Sequence, residues 1–199
     1  MIEHPLELDH SSELVGIDEA GRGPMAGPLV VAGVVFPYGY QNEALDDSKK
    51  LTEKKREVLY ASIKEDALWY KIVFVDELTI DTKNIYKATK DAMYEIAKEA
   101  PADIVLTDAM PLDYLDKHVE AIIKGDHKSI SIAAASILAK VSRDHYMVQL
   151  DKMYPEYGFA KHKGYPTKAH KEALQKYGVL DCHRKSYGPV QKELEVHLF

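Results

Sequence analysis

The stretch 129–150 constrains this chain most. Its first half carries small and apolar residues on every side: Ile130, Ile132, Ala133, Ala134, Ala135, Ile137, Leu138 and Ala139. A helix that is apolar all round is a buried one, so this helix belongs inside the fold. Its later part, with Lys140, Arg143, Asp144 and His145, is expected to approach solvent. Upstream the signals are of strands. Leu14-Val15-Gly16-Ile17 leads into Asp18, and 29–36 is rich in Val, with Pro37 and Gly39 marking a turn. A β-branched and aromatic run fits a strand over 69–75. Ile104-Val105-Leu106 ends at Asp108, and 119–123 ends near Gly125-Asp126. Between them, helices are expected over 52–66, capped by Ser48 or Asp47, and over 82–99. In the latter Ile85, Ala88, Ala92 and Ile96 recur at helical spacing, and Pro101 stops it. Beyond 150 come shorter helices separated by Gly158, Gly164-Tyr165-Pro166, Gly178 and Gly188-Pro189. The pattern predicts an α/β domain over 1–150 with a helical extension over 151–199 packed on it as one compact unit.

Composition excludes several classes. Of 199 residues, 46% are hydrophobic and 29% charged, with a formal charge of −6, which is ordinary for a globular core and unlike a disordered chain. The longest nearly unbroken apolar run, 28–36, falls far short of the ~20 residues of a membrane span. Met1-Ile2-Glu3-His4-Pro5-Leu6-Glu7 has neither a basic start nor an apolar stretch, so no export signal is read. The single cysteine, Cys182, excludes an internal disulfide framework and a cysteine-rich zinc site. A soluble, cytoplasmic protein is expected. Charge is unevenly spread: 161–199 holds eight basic and four acidic residues, a net of +4, which leaves −10 for residues 1–160. One face that attracts an anion is one reading. A solvated surface helix is the other.

Three acidic positions stand out: the pair Asp18-Glu19, then Asp108, then Asp126. Each comes after an apolar strand-like run at or near its carboxyl end, the edge where open sheets bind ligands. Neighbouring strands lie about 4.8 Å apart, so these acids can converge although distant in sequence. Gathered together they would repel one another unless a cation sat among them. An oxygen-rich set without cysteine selects a hard ion such as Mg²⁺ or Mn²⁺. The alternative is that they are turn residues and helix caps, Asp126 above all. Adjacent strand residues point to opposite faces, so the chain is expected to leave β geometry at Glu19. Ala20-Gly21-Arg22-Gly23-Pro24 permits that, and its glycines let backbone approach a ligand closely.

Gly16-Ile17-Asp18-Glu19-Ala20-Gly21-Arg22-Gly23-Pro24 closely resembles the signature of type 2 ribonuclease H, specifically the bacterial ribonuclease HII family. The likeness continues in Asp47-Ser48-Lys49-Lys50-Leu51, in Thr107-Asp108-Ala109, and in Lys124-Gly125-Asp126 running into 129–144. It ends with Gly164-Tyr165-Pro166-Thr167 and His183-Arg184-Lys185-Ser186-Tyr187. The resemblance implies a ribonuclease H-like fold, a mixed five-stranded sheet flanked by helices with a helical C-terminal part. It implies an endonuclease that cuts the RNA strand of RNA–DNA hybrids and cuts 5′ to single ribonucleotides embedded in duplex DNA. By the same likeness Asp18, Glu19, Asp108 and Asp126 would be the catalytic and metal-binding acids, for Mn²⁺ or Mg²⁺. Gly21, Arg22 and Gly23 would read the 2′-hydroxyl through the backbone, Lys49 would meet the scissile phosphate, and Tyr165 would stack on the 3′ deoxyribose. A monomer is implied as well.

Elementary chemistry runs parallel. The 2′-hydroxyl is what distinguishes RNA from DNA at one site. Two ions a few Å apart can activate a water and stabilise the departing 3′-oxygen, leaving a 5′-phosphate and a 3′-hydroxyl. Two rival readings remain: a non-catalytic duplex-binding module, and a metal-free ribonuclease driven by His162, His170 and His183. The plainer role for those three is hydrogen bonding. Lys49 and Lys50 lie by a helix start that favours anions, or belong to a solvated run with Lys54, Lys55 and Arg56. Lys161, Lys163, Lys168 and Lys171 surround Tyr165 and suit phosphates. Asp144, about five helical turns beyond Asp126, is expected to pair with Arg143 or another base. Glu195-Val196-His197-Leu198-Phe199 resembles the pentapeptides ending in Leu-Phe that bacterial proteins insert into the sliding clamp, with Glu where Gln is usual. The plainer alternative is a terminal turn tucking Leu198 and Phe199 into the core.

Overall fold

Alternating runs of valine build the centre. In the computed structural model, which describes residues 4–45, 51–113 and 115–196, a short helix α1 (Pro5–His10) precedes β1 (Leu14–Ala20) and β2 (Leu29–Val35). Next along the chain are α2 (Glu53–Asp66), β3 (Trp69–Val75), α3 (Glu77–Lys83), α4 (Ile85–Glu99), β4 (Ile104–Asp108) and β5 (His118–Ile122). The long α5 (Ile130–Met153) leads to α6 (Phe159–His162), α7 (Lys168–Tyr177) and α8 (Gly188–Val196). The strands form one mixed sheet in the order β3-β2-β1-β4-β5. β1 runs antiparallel to β2 and parallel to β4, β2 is antiparallel to β3, and β4 is parallel to β5. No described helix is long and apolar enough to cross a membrane.

Side-chain alternation divides the core into two layers. Val15, Ile17, Val31 and Val105 meet Ala88, Ala92, Met93 and Ile96 of α4 on one face. Val30, Ala32 and Val34 meet the alanine-rich half of α5 on the other, with Leu59 and Ile63 of α2 closing the same cluster. Lying between sheet and α2, the first half of α5 is buried apart from the half-buried Ile130 and Ser136. At Gly16 its backbone rests directly on β1: a Cβ there would lie 2.3 Å from the Ser131 carbonyl carbon. Only glycine permits that approach.

Several expectations are corrected. The helix read over 82–99 is two helices, because Asn84 takes φ 66° and its side chain accepts from Lys87 N at 3.0 Å, restarting the chain as α4. With ψ at 161° this is a positive-φ extended conformation rarely adopted outside glycine, held here by the cap. α2 is capped by Thr52, which accepts from Lys55 N; Asp47 and Ser48 lie outside the described residues. β1 does not end at Glu19, since Glu19 pairs with Val31 and Ala20 with Val30. Nor does the polar half of α5 all reach solvent, because Arg143 and Asp144 are buried. Asp144 pairs with Lys140 at 2.7 Å, one helical turn away. The helix read over 129–150 runs on to Met153.

Candidate active site

Register brings the first acids together. The parallel pairing matches Ile17 with Thr107, and one step further Asp18 stands beside Asp108. Asp18 pairs with Ala32 and so faces α5, while Glu19 pairs with Val31 and faces the α4 layer. Strand alternation alone would send the two side chains to opposite faces, yet the Glu19 carboxyl comes close enough to interact with the Asp18 side chain, and both feel the charge of Asp108. Asp18 is buried, accepts from Glu19 N at 2.7 Å and hydrogen-bonds the Ser136 side chain of α5. Burial, then the charges of Glu19 and Asp108, push its carboxyl well above the usual range. Burial raises Glu19 too, against Arg22, whose Nη1 lies 3.5 Å from Oε1. The other oxygen, Glu19 Oε2, is buried with no hydrogen-bond partner among the described residues.

Asp108 closes the cluster on β4, its Oδ1 accepting from Gly125 N at 2.8 Å. That bond places Asp126, the next residue and 1% exposed, in the adjoining 3-10 turn Gly125–His127. Glu7 of α1 fixes the start of α5, accepting from Ser129 Oγ and Ser131 N at 2.9 Å and from Ile130 N at 3.1 Å. The donor set fits a hard divalent cation, being all carboxylate with one orphaned buried oxygen. Among the described residues, no three acids, imidazoles or thiols already stand in an arrangement that encloses one ion. The acids are a loose cluster, not a closed cage.

The glycine loop borders this cluster. Gly21 takes φ 100°, and a Cβ there would lie 2.2 Å from Arg143 Nε. A Cβ on Gly23 would lie 3.3 Å from the Tyr165 ring, so the loop and the half-exposed tyrosine, far apart in sequence, are neighbours. Glu19, Gly21, Ser136, Lys140, Arg143 and Tyr165 line a cavity of about 320 Å³. Lys49 lies outside the described residues, as do residues 197–199 of the C-terminal pentapeptide. Lys161, Lys168 and Lys171 are exposed, whereas Lys163 Nζ is held by Ala160 O at 2.7 Å.

Two arginines that sequence reasoning counted as surface charge hold the loop. Arg143 donates to Pro28 O at 2.9 Å, Ala26 O at 3.1 Å and Lys163 O at 2.9 Å. Arg184, 0% exposed, donates to Gly27 O at 2.8 and 3.0 Å and to Arg22 O at 3.2 Å. Tyr187 Oη also donates to Arg22 O, at 2.6 Å. Burial brings the Arg143 guanidinium down to about 10, which leaves it charged at neutral pH. Their only sequence sign was position within the family-like stretches 129–144 and 183–187. His170 and His183 are buried, and burial pushes both down to about 4.

Comparison with known proteins agrees with this geometry. The sequence model of the family Ribonuclease HII matches residues 15–190. A ribonuclease HII from Francisella tularensis subsp. mediasiatica (strain FSC147) is 55% identical over 180 residues, covering 89% of this chain and 96% of the relative. Among solved structures, the ribonuclease H2 from Pyrococcus horikoshii OT3 superposes with a TM-score of 0.82 at 26% identity, covering 92% of this chain and 97% of that one. The RNase HII solved in a PCNA:RNase HII complex from Archaeoglobus fulgidus gives 0.76 at 29% identity, covering 86% and 91%.

Proposed function

The chain belongs to the ribonuclease HII family, and on that footing we propose that it cuts 5′ to single ribonucleotides embedded in duplex DNA, leaving 5′-phosphate and 3′-hydroxyl ends. As a member it is a ribonuclease H, a divalent-metal-dependent hydrolase that binds RNA–DNA hybrids and cleaves their RNA strand endonucleolytically. The observation that carries the finer reading is the nearness of the Gly23 backbone to the Tyr165 ring, which a Cβ on Gly23 would approach to 3.3 Å, beside the acid cluster. A backbone loop able to meet a 2′-hydroxyl and a ring able to stack on the next sugar then share one cleft.

Asp18, Glu19, Asp108 and Asp126 would hold the divalent ions, Mn²⁺ or Mg²⁺, whose chemistry is to activate a water and stabilise the departing 3′-oxygen. Arg22 O is engaged by both Arg184 and Tyr187, so another backbone group of Gly21, Arg22 or Gly23 meets the 2′-hydroxyl. Lys49 takes the scissile phosphate, and Tyr165 seats the deoxyribose 3′ to the ribonucleotide. The histidine-driven alternative finds no support, because His170 and His183 are buried and held neutral and both ring nitrogens of His162 are hydrogen-bonded to backbone. The chain acts as a cytoplasmic monomer, one compact unit of a catalytic part over 1–150 and an extension over 151–199. Contact with a sliding clamp through Glu195–Phe199 completes the reading; the PCNA complex of the Archaeoglobus relative supports it.

The test is a duplex with one embedded ribonucleotide, incubated with Mn²⁺, with Mg²⁺ and with chelator, and then analysed for its product ends. Metal-dependent nicking on the 5′ side with a free 3′-hydroxyl is expected. Cleavage that persists in chelator, or ends bearing a 2′,3′-cyclic phosphate, would refute the proposal.

A further inference from the structure

The three C-terminal histidines form a set whose protons are assigned by geometry. Leu180 N–H donates to His183 Nδ1 at 3.0 Å, so His183, being neutral, carries its proton on Nε2. That Nε2 faces His170 Nε2 at 3.2 Å and donates to it. His170 must then be protonated on Nδ1, which donates to Tyr165 O at 2.9 Å. His162 repeats the pattern alongside: its Nδ1 accepts from Gly164 N at 3.2 Å and its Nε2 donates to Tyr157 O at 2.8 Å. The His162 and His170 rings stack 4.3 Å apart, and Phe159 packs edge-on to both. Each ring thus has one donor and one acceptor nitrogen, both engaged. This leaves none for proton transfer with a substrate.

What the relay joins is informative. At one end His183 precedes Arg184, whose backbone N donates to Met25 O and whose guanidinium holds the Arg22 and Gly27 carbonyls. At the other end stands the peptide of Tyr165, with Thr167 N as its second donor at 2.8 Å. Between them Gly164, at φ 83°, presses so close that a Cβ would lie 2.3 Å from Ala26 O. The relay therefore connects the anchor of the Gly21–Gly23 loop to the turn that presents the tyrosine ring. We propose that His170 and His183 are positioning residues that set the spacing between Tyr165 and the Gly21–Gly23 loop, and thereby the preference for a single ribonucleotide junction over a continuous hybrid. A continuous hybrid offers many equivalent registers, while a junction offers one, so a misplaced ring costs the junction more. Burial keeps both rings neutral down to about 4, so the donor order holds throughout the working range.

The inference rests on the proposed role of Tyr165, and the experiment separates the two. His170→Gln places its amide where Nε2 was and abandons Tyr165 O, whereas His170→Asn places its amide where Nδ1 was and keeps that bond. Full-length enzyme carrying each change is assayed with Mg²⁺ for kcat/KM on an embedded ribonucleotide and on a continuous hybrid. Tyr165→Ala and the double variant with His170→Gln are measured beside them. His170→Gln and His170→Asn, each of which cuts the relay at one end, are expected to lower junction cleavage about ten- to a hundredfold with much less loss on the hybrid, and the double variant of His170→Gln with Tyr165→Ala to lose no more than Tyr165→Ala alone. Equal losses on both substrates, as a folding defect gives, overturn the inference, as does normal junction cleavage by His170→Gln while Tyr165→Ala is impaired. If Tyr165→Ala itself cleaves junctions normally, the Tyr165 role fails first.

Discussion

Lowering the pH from 6.5 to 4 should destabilise this protein through its buried imidazoles. His170 and His183 are 0% and 1% exposed, and burial brings both from 6.5 to about 4. Within that window an unfolded chain takes up protons that the folded chain refuses, so stability falls as pH falls. The contribution is complete above about 6.5 and exhausted below about 4. At about 1.4 kcal/mol per unit, a ring refusing its proton across about 2.5 units contributes roughly 3 kcal/mol. Because the two rings share a hydrogen bond, the pair together ranges from about 3 to 6 kcal/mol. Asp18 and Glu19 act oppositely, since their raised carboxyls favour the folded state as acid is added. A difference measurement removes them. Urea unfolding of the chelator-treated wild type and of His183→Asn, between pH 6.5 and 4.5, should give a wild-type slope steeper by about 2–3 kcal/mol over the interval. Parallel curves would show that these rings titrate normally and are not sealed in the core.

Three further outcomes are expected. Asp18→Asn should lower cleavage about 10²–10³-fold while raising metal-free stability by about 0.5–2 kcal/mol, because it removes a charge crowded by Glu19 and Asp108; a variant both active and no more stable contradicts the cluster. Gly21→Ala should cost about 1–3 kcal/mol and impair both substrates, since its Cβ would meet the Arg143 side chain at φ 100°; unchanged melting and activity would refute it. Cys182, whose thiol burial pushes up to about 12, should react with iodoacetamide at pH 8 far more slowly than a free thiol, and a free-thiol rate would contradict that burial.

The two central strands are legible because they are buried on both faces and read as apolar, largely valine-rich runs; the half-exposed 69–75 is legible from its β-branched and aromatic residues and matches β3 residue for residue. The strand-end acids are legible for a related reason, since a carboxylate closing such a run has few structural uses. What the sequence hides is what partners decide. Asn84 looks like an ordinary helical position until its positive φ splits α3 from α4. Arg143 and Arg184 read as surface charge, and only the folded loop supplies the carbonyls that let them be buried. Glu19 is expected from sequence to leave the strand in order to reach the cluster, yet the strand continues and its longer side chain remains within reach of Asp108's charge. The histidine relay joins α6, α7 and the segment ahead of α8, and no spacing rule announces it.

The central claim, that Asp18, Glu19, Asp108 and Asp126 form a divalent-cation site, is tested most directly by anomalous scattering from crystals soaked in manganese. The account predicts a peak lying between the carboxylates of Asp18 and Asp108, within bonding distance of both. A map with no peak there, or with manganese bound only elsewhere on the surface, would contradict it.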